Sequence, residues 1–149
     1  MTFIRPARPN DLETIVEFQR RMALETEGLS LEKETVTQGV RAVIEGRRHG
    51  QYYLAETGGR VVGCLLTLPE WSDWRNGTIL WIHSLYVLPE HRRRGVFRSL
   101  YGHLRKMAEA DPALKGLRLY VDRRNVAAKK VYEAMGMDAQ HYELYEWLK

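Results

Sequence analysis

"TILWIHSLYVLPEHRRRGVFRSL", residues 78–100, decides the fold of this chain. Its first ten residues are apolar at nearly every position, which predicts a strand whose sheet is covered by helices on both faces. Apolar residues from Val96 to Ala108 recur at helical spacing and predict a helix over 95–110. Three consecutive arginines and a glycine separate the two patterns, so a tight basic loop joins a buried strand to a helix.

The segment nearest the N terminus predicts one strand and one helix. "FIRPA" (3–7) has the composition of a short first strand. Asn10 followed by Glu13 resembles a capping box, which predicts a helix over 11–24. The turn "ETEGLS" is expected to end this helix.

A second helix and a hairpin are expected before the deciding stretch. Ser30 can cap a helix with an apolar stripe over 36–44. The runs 51–56 and 61–68 are apolar strands joined by "TGGR", whose glycines accept a positive φ. The segment "PEWSDWRNG" (69–77) is expected to be a second turn region.

After residue 100, strand and helix patterns alternate again. We expect a strand at "LRLYV" (117–121), a helix over 126–135 that Gly136 ends, and a last strand at "HYELYEWL" (141–148). Helices and strands that alternate in this way predict an α/β (α+β) class, with a mixed, mostly antiparallel central sheet flanked by helices on both faces. A length of 149 residues predicts a single domain over 1–149.

Composition limits the classes of function. The chain has 44% hydrophobic and 28% charged residues, which is typical of a globular protein. A net charge of +4 favours an anionic ligand without saying which one. The one cysteine, Cys64, excludes an internal disulfide and a multi-cysteine metal site, and no metal is expected. We expect neither a membrane nor an export segment, and a reducing cytoplasm fits the cysteine content.

The arginine loop has the elements of an anion site. The first amides of a helix lack internal partners, and the helix dipole makes that end partly positive, so phosphate binds there. Gly95 has no Cβ and lets an anion approach the main chain, while the neighbouring arginines offer forked donors. A solvated basic surface loop is the alternative interpretation. The chain lacks the G-x-x-x-x-G-K-[ST] and G-x-G-x-x-G motifs of the common nucleotide loops.

Four motifs in order resemble the GNAT superfamily of N-acyltransferases. They are "IRPARPNDLETI" (4–15), "LYVLPEHR" (85–92), "RRRGVF" (92–97) and "NVAAKKVYEAMGM" (125–137), and together they span nearly the whole chain. The third is similar to the family's acyl-CoA pyrophosphate loop, [Q/R]-x-x-G-x-[G/A]. Phe97 departs from that pattern, because the family has a small residue there.

The resemblance implies an N-acetyltransferase that uses acetyl-CoA and transfers the acetyl group to a primary amine in a ternary complex. The implied cofactor-binding residues lie on the strand, in the loop and on the late helix: Leu85, Tyr86, Val87, Arg92, Arg93, Arg94, Gly95, Val96, Phe97, Arg98, Asn125 and Tyr132. Tyr132 is the implied catalytic acid for the departing thiolate, and a core tyrosine is the alternative. Asn125 can contact the cofactor, cap its helix, or do both.

The general base is expected on the strand itself. His83 lies two residues before Leu85, so regular alternation would place both side chains on one face, and its ordinary pKa of about 6.5 suits proton abstraction. A buried structural histidine, Glu70 as the base, and a water relay are the alternatives. Cys64 lies in an apolar run, which favours core packing over a covalent acyl-enzyme.

Acidic and indole side chains suggest a cationic acceptor. The first helix–loop–helix and the hairpin before the fourth strand frame the acceptor site in the GNAT family, so the resemblance implies that the acceptor-binding residues are Glu25, Glu27, Glu70, Trp71 and Trp74. Ordinary surface acids and anchoring tryptophans are the alternative. The expected partner is then an amine-bearing small molecule or a protein amine, with a homodimer as a further expectation. A non-catalytic acyl-CoA-binding module is a rival interpretation. A basic nucleic-acid-binding protein is another, which the 19 acidic residues disfavour.

Overall fold

The apolar run that begins at Thr78 lies within strand β4, Gly77–Val87, next to the centre of a five-stranded sheet. The computed structural model describes residues 1–149, which divide into two compact units, 1–119 and 120–149. The expectation of one domain over 1–149 stays a prediction. No helix is long and apolar enough to span a bilayer.

The first unit carries the whole sheet and three helices. Its elements in chain order are β1 (Thr2–Pro6), α1 (Leu12–Glu27), α2 (Lys33–Ile44), β2 (Gln51–Thr57), β3 (Arg60–Ser72), β4 (Gly77–Val87), α3 (Val96–Ala110) and β5 (Leu114–Leu119). The strand order is β1-β2-β3-β4-β5, with β4 and β5 parallel and every other pair antiparallel. The predicted mixed, mostly antiparallel sheet is therefore confirmed.

Helices cover both faces of this sheet. The Cβ that a residue other than glycine would have at position 63 meets Val96 of α3 at 3.3 Å. The next residue, Cys64, pairs with Tyr86, whose ring lies 5.2 Å from that of Phe18 in α1. Because neighbouring residues of a strand point to opposite faces, α1 and α3 lie on opposite sides of the sheet. The fully buried side chains include Ile15, Leu54, Val62, Leu65, Leu100 and Leu104.

The entry to α1 differs from the predicted capping box. Asp11, and not Asn10, stabilises this turn: its Oδ2 accepts a hydrogen bond from the Arg8 backbone N–H at 2.6 Å. The same carboxylate receives both terminal nitrogens of Arg5, at 2.8 and 2.9 Å, and Arg5 Nε donates to Glu56 at 2.7 Å. A buried ion-pair cluster therefore ties β1 and β2 to the start of α1.

The ends of three elements also differ from prediction. Helix α1 continues to Glu27, because the residues "ETE" are tolerated in a helix, and Gly28 with φ 64° ends it. The cap of α2 is Glu32 in place of Ser30, since its carboxylate accepts the backbone N–H groups of residues 34 and 35 at 2.9 and 2.6 Å. The segment predicted as a turn over 69–77 is mostly strand, because Pro69 to Ser72 pair with β4.

The predicted hairpin between β2 and β3 is confirmed. Gly58 and Gly59 both have positive φ, 58° and 76°, as a two-residue primed turn requires. At the other sheet edge, β5 begins at Leu114, three residues before the predicted strand, because residues 114 to 119 follow β4 in parallel register.

The second unit contains one helix, α4 (Val126–Ala134). Asn125 Oδ1 caps it by accepting the Ala128 N–H at 3.1 Å, and Gly136 with φ 87° follows its end. Both sequence expectations are confirmed. The predicted last strand at 141–148 is wrong for this chain: residues 139–149 form neither helix nor strand. The alternating pattern is present, but a strand also needs a backbone partner.

Candidate active site

Strand β4 extends beyond the point at which its neighbour β5 ends. Their parallel register runs from Thr78 opposite Leu114 to Ile82 opposite Leu119, where β5 stops. β4 continues to Val87, so its last five residues extend past the end of β5. The main-chain groups on that edge of β4 can pair with an extended ligand as an added strand would. Leu85, Tyr86 and Val87 lie in this segment.

A β-bulge lies in the same part of β4. Leu66 pairs with His83 and Cys64 with Tyr86, so three steps along β4 correspond to two along β3. Ser84 takes up the extra residue with φ 51°, a left-handed conformation that is rare outside glycine. The bulge puts Tyr86, rather than Leu85, on the face of His83. The expectation that His83 and Leu85 share a face is therefore wrong, because it assumed uninterrupted alternation.

The basic loop leads directly into α3. A short 3-10 turn, Pro89–His91, precedes Arg93 with φ 61° and Gly95 with φ 81°. A Cβ at Gly95 would meet nothing within 4 Å, so the space before the helix is open. No side chain caps α3, and the first backbone bond into its first turn is from the Ser99 N–H to the Gly95 carbonyl at 3.0 Å. The amides of Val96 and Arg98 therefore have no partner within the helix.

The loop and the first turn of α3 carry three exposed cations. Arg93, Arg94 and Arg98 are all exposed. Phe97, the departure from the family's small residue, packs along its own helix, with its ring centroid 6.0 Å from that of Tyr101. The ring of Phe97 therefore points along α3 toward Tyr101. The loop therefore combines a helix N terminus, a glycine and exposed positive charge, the chemistry that suits a diphosphate.

Arg92 differs from the other loop arginines, because its guanidinium is held in place. Arg92 Nη2 donates to Glu25 Oε2 at 2.6 Å, and Arg92 Nε donates to the Val87 carbonyl at 2.9 Å. The Tyr86 hydroxyl donates to the other oxygen of Glu25 at 2.9 Å. Arg92 also lies 5.5 Å from the centre of the Tyr86 ring. These contacts fasten the loop to the C-terminal part of α1.

These contacts give Glu25 a role that the sequence did not predict. The sequence predicted that Glu25 contacts the acceptor, but its two carboxylate oxygens accept hydrogen bonds from Tyr86 and Arg92. The pKa of Glu25 is lowered, mainly by the hydrogen bond from Arg92, and burial raises the pKa of Tyr86. Sequence reasoning missed the pairing because Glu25 and Arg92 are 67 positions apart and neither belongs to a motif that includes the other.

Glu70 of β3 lies opposite Ile79 near the hairpin end of β4, whereas His83 lies past the midpoint of β4, opposite Leu66. Burial lowers the pKa of His83, whose ring lies 6.3 Å from that of Trp81. Glu70 accepts a hydrogen bond from Trp81 Nε1, and Arg118 approaches it at 3.5 Å. A neutral imidazole at pH 7 can accept a proton, whereas the Glu70 carboxylate already has two donors.

The remaining predicted residues lie on three separate elements. Glu27 is the last residue of α1 and is exposed. Trp71 is near the end of β3 and Trp74 is in the turn that follows, with 65% and 88% of their surfaces exposed. Tyr132 lies in α4 of the second unit, and burial raises its pKa.

Two further features contain none of the predicted site residues. Cys64 is completely buried, which raises the pKa of its thiol to about 12, so it is a poor nucleophile, as expected. A cavity of about 580 Å³ lies between α1 and the β2–β3 turn, with Glu13, Glu17, Phe18, Arg21 and Arg60 in its walls. None of the predicted site residues lines it.

Solved structures share this fold over the whole chain. A possible acetyltransferase from Clostridium difficile 630 is 40% identical, with a TM-score of 0.92 over 100% of this chain and 98% of that one. A predicted acetyltransferase from Clostridium acetobutylicum, solved with acetyl-CoA, is 17% identical, with a TM-score of 0.73 over 100% and 95%. An aminoglycoside acetyltransferase from an uncultured soil metagenomic sample, in complex with sisomicin, is 16% identical, with a TM-score of 0.76 over 99% and 97%.

The sequence itself matches a family model. No curated protein matches the chain. Residues 13–137 match the model of the acetyltransferase (GNAT) family, a range that includes α1 from its second residue onward, the whole of β4, the basic loop and α4. The open edge of β4 and the glycine of the basic loop fall inside that match. This chain belongs to the GNAT acetyltransferase family.

Proposed function

We propose that this protein is an N-acetyltransferase that moves the acetyl group of acetyl-CoA to a primary amine by direct attack in a ternary complex. The observation that carries the proposal is the extension of β4 past the end of β5, next to the open glycine loop at the start of α3. An extended arm with a diphosphate at one end fits a strand edge that extends past its neighbour and is followed by a helix N terminus.

Atoms and electrons balance in the proposed acetyl transfer without an oxidant or a metal. When bound, acetyl-CoA supplies a thioester: the amine nitrogen bonds to its carbonyl carbon, the carbon–sulfur bond breaks, the amine loses a proton and the thiolate gains one. In our proposal the amides at Arg94 to Phe97 and the side chains of Arg93, Arg94 and Arg98 hold the diphosphate. Leu85 and Tyr86 offer the main-chain groups of β4 to the arm, together with Val87.

Two residues are proposed to move protons. His83 is assigned the role of base, because its lowered pKa leaves it neutral and able to accept a proton at pH 7. Tyr132 is assigned the role of acid, because its raised pKa keeps the phenol protonated and because its helix matches the family motif. Asn125, which caps that helix, is proposed to position it.

The acceptor is proposed to be a cation when free in solution. Glu27 is exposed, and the two hairpin tryptophans present indole faces on which an ammonium or a sugar amine can rest. The aminoglycoside complex of a structural neighbour supports an amine acceptor of this kind. Glu25 and Glu70 are proposed to contribute negative charge nearby while they bind Arg92 and Arg118.

Assembly and location complete the proposal. We propose a homodimer, because large apolar side chains near the C terminus are exposed in a single chain. We also propose a cytoplasmic location, because the only cysteine is a buried free thiol and a reducing compartment keeps it so.

Binding and turnover together test the function. Acetyl-CoA at a hundredfold excess over its Kd should stabilise the fold by about 2.7 kcal/mol, read as a rise in Tm. A panel of aminoglycosides and simple amines with a thiol reagent should then show release of free coenzyme A. A protein that DNA stabilises and acetyl-CoA does not would contradict the proposal.

Tyr132→Phe separates catalysis from binding. The variant keeps the ring and should keep acetyl-CoA affinity, while turnover falls by about a hundredfold, a typical loss for a missing general acid. Binding by the wild type without turnover of any amine would favour a non-catalytic acyl-CoA-binding module.

A further inference from the structure

The α1 cleft is the cavity of about 580 Å³ between α1 and the β2–β3 turn. Glu13, Glu17 and Arg21 line it from α1, where their spacing of four residues places them along one face of the helix. Arg60, the first residue of β3, lines it from the turn. Sites for small molecules have volumes of about 300–1,000 Å³, so the α1 cleft has room for an organic ligand.

The cleft is separate from the residues proposed for catalysis. None of the residues proposed to bind acetyl-CoA or the acceptor lines it. Its apolar wall is formed by Phe18 and Leu88, which are buried, and by Val61, which is half-buried. The Phe18 ring also lies 5.2 Å from the ring of Tyr86, so this wall is held by the core. A hydrocarbon or aromatic group that covers the wall leaves water, which favours binding.

Four charged side chains line the cleft, and three of them are paired. Arg21 Nε donates to Glu17 Oε1 at 2.8 Å, and Arg60 Nη2 donates to Glu90 Oε1 at 3.3 Å. The Glu13 side chain is exposed and forms no hydrogen bond or ion pair. Because each of the two pairs is neutral, the charge that remains at the cleft is the negative charge of Glu13.

This charge pattern decides which class of ligand fits. An anion would meet the carboxylate of Glu13, whereas both guanidinium groups already have acidic partners. A bare divalent cation takes about six oxygen ligands, and the cleft offers two carboxylates, one of which is bound by Arg21. A monovalent organic cation matches both features of the cleft, because its ammonium group can face Glu13 while its apolar part covers Val61.

We propose that the α1 cleft binds an organic cation with an apolar body, of the arylalkylammonium class, and that it can be occupied at the same time as the acetyl-CoA site. The inference goes beyond the proposed function and does not depend on it, because the two sites share no residue. An ammonium group gains from the unpaired carboxylate, and the aryl group gains from the apolar wall.

Trimethylphenethylammonium is the probe, because its quaternary nitrogen has no N–H and cannot be acetylated. NMR of the full chain follows its binding. The amide signals of Gly59, Val61 and Leu88, which line the cleft, should shift together and fit one Kd of about 1 mM, the affinity of a small ligand with few contacts. 3-Phenylpropionate, which has a carboxylate in place of the ammonium, should not shift them. Equal shifts with both compounds, or none with the cation, would overturn the inference.

Two substitutions of exposed residues test the charge. Glu13→Gln removes the unpaired carboxylate and should weaken probe binding up to about fivefold, the range for an exposed ion pair. Arg60→Gln removes a positive charge from the same cleft and should keep or strengthen binding. Glu109→Gln, on α3 and outside the cleft, is the matched control and should leave the Kd unchanged. An unchanged Kd for Glu13→Gln, or weaker binding by both cleft variants, would contradict the proposed site.

The titration is then repeated with saturating acetyl-CoA. The probe should still shift the signals of Gly59, Val61 and Leu88, and their loss would place the probe in the acetyl-CoA site and overturn the inference. A protein that binds the probe in the cleft but does not bind acetyl-CoA would contradict the proposed function and leave the α1 cleft standing. A protein that binds acetyl-CoA and not the probe would do the reverse.

Discussion

Glu25 Oε2, near the C-terminal end of α1, accepts a hydrogen bond from Arg92 Nη2 at 2.6 Å, across 67 residues of sequence. Through this contact α1 holds Arg92 in place. Arg92 is the first arginine of the basic loop, which we propose binds the diphosphate. Since Arg92 Nε also donates to the Val87 carbonyl, one guanidinium joins α1, the end of β4 and the loop. The shape of the loop therefore depends on a residue outside it.

Glu25→Gln is expected to weaken acetyl-CoA binding up to about fivefold. Both partners are more than a third exposed, so the ion pair contributes about 1 kcal/mol or less, which limits the change in Kd. Glu17→Gln is the matched control, because it removes an exposed pair with Arg21 on the same helix. Titration calorimetry measures both variants. Equal affinities for Glu25→Gln and the wild type would contradict the positioning role of Glu25.

Gly95→Ala should lower acetyl-CoA affinity at least tenfold with a small loss of stability. The left-handed φ of 81° costs a non-glycine residue about 1 kcal/mol, and the new Cβ fills the open approach to the helix amides, which we propose donate charge-assisted hydrogen bonds to the diphosphate. Gly46→Ala is the control: Gly46 has φ 72° and equally open surroundings at the end of α2. It should lose similar stability, measured by urea unfolding, and keep its affinity. Parallel losses of affinity would argue against a diphosphate at Gly95.

Ser84 tests whether the bulge is built into β4. Ser84→Val should reduce the free energy of unfolding by about 2 kcal/mol, because a β-branched residue is strained at a φ of 51°. Ser84→Gly should stay within about 1 kcal/mol of the wild type, since glycine accepts that φ but is more flexible when unfolded. Urea unfolding compares the three proteins. A valine variant as stable as the wild type would contradict the assigned strain.

His83 should determine the acidic limb of the rate profile. Burial lowers its pKa below the ordinary 6.5, so the base is protonated and inactive only at acidic pH, and kcat/KM should rise through that lowered pKa as the pH increases. His83→Gln should lose this limb and about a hundredfold in rate. The measurement is kcat/KM against pH with one amine, so that the titration of the acceptor is common to both enzymes. An unchanged limb in the variant would favour a water relay.

Asp11→Asn should cost about 3 kcal/mol of stability at pH 7, because it leaves Arg5 buried with one carboxylate partner. Arg5 lowers the pKa of Asp11, so the stabilisation is complete above the unfolded pKa of about 3.9 and is lost as the pH falls through the lower folded value. The wild type and variant should therefore differ at pH 7 and converge at strongly acidic pH in urea unfolding. Glu109→Gln, which breaks an exposed pair with Arg105, is the control and should not change stability measurably. A constant difference across the pH range would contradict the assignment.

The sequence predicted several turns and helix ends correctly, because the signals that specify them come from neighbouring residues. The β2–β3 turn follows from two adjacent glycines, the start of α3 from Gly95, and the cap of α4 from Asn125 three residues before the amide it binds. Asp11 lies one residue from the predicted cap, yet its choice depends on Arg5 and on Glu56 from the next strand in sequence. Local signals locate an element, and distant partners decide its terminal residues.

The sequence alone determined the order of the elements from β1 to α4, the class of fold, the family and the position of the basic loop, because periodicity, turn chemistry and helix ends are properties of neighbouring residues. Tertiary structure alone decided the bulge at Ser84, the face shared by His83 and Tyr86, and the pairing of Glu25 with Arg92. It also decided that residues 141–148 form no strand in a single chain. The physical reason is that register and ion pairing depend on which distant groups meet, and a strand exists only where another backbone completes its hydrogen bonds.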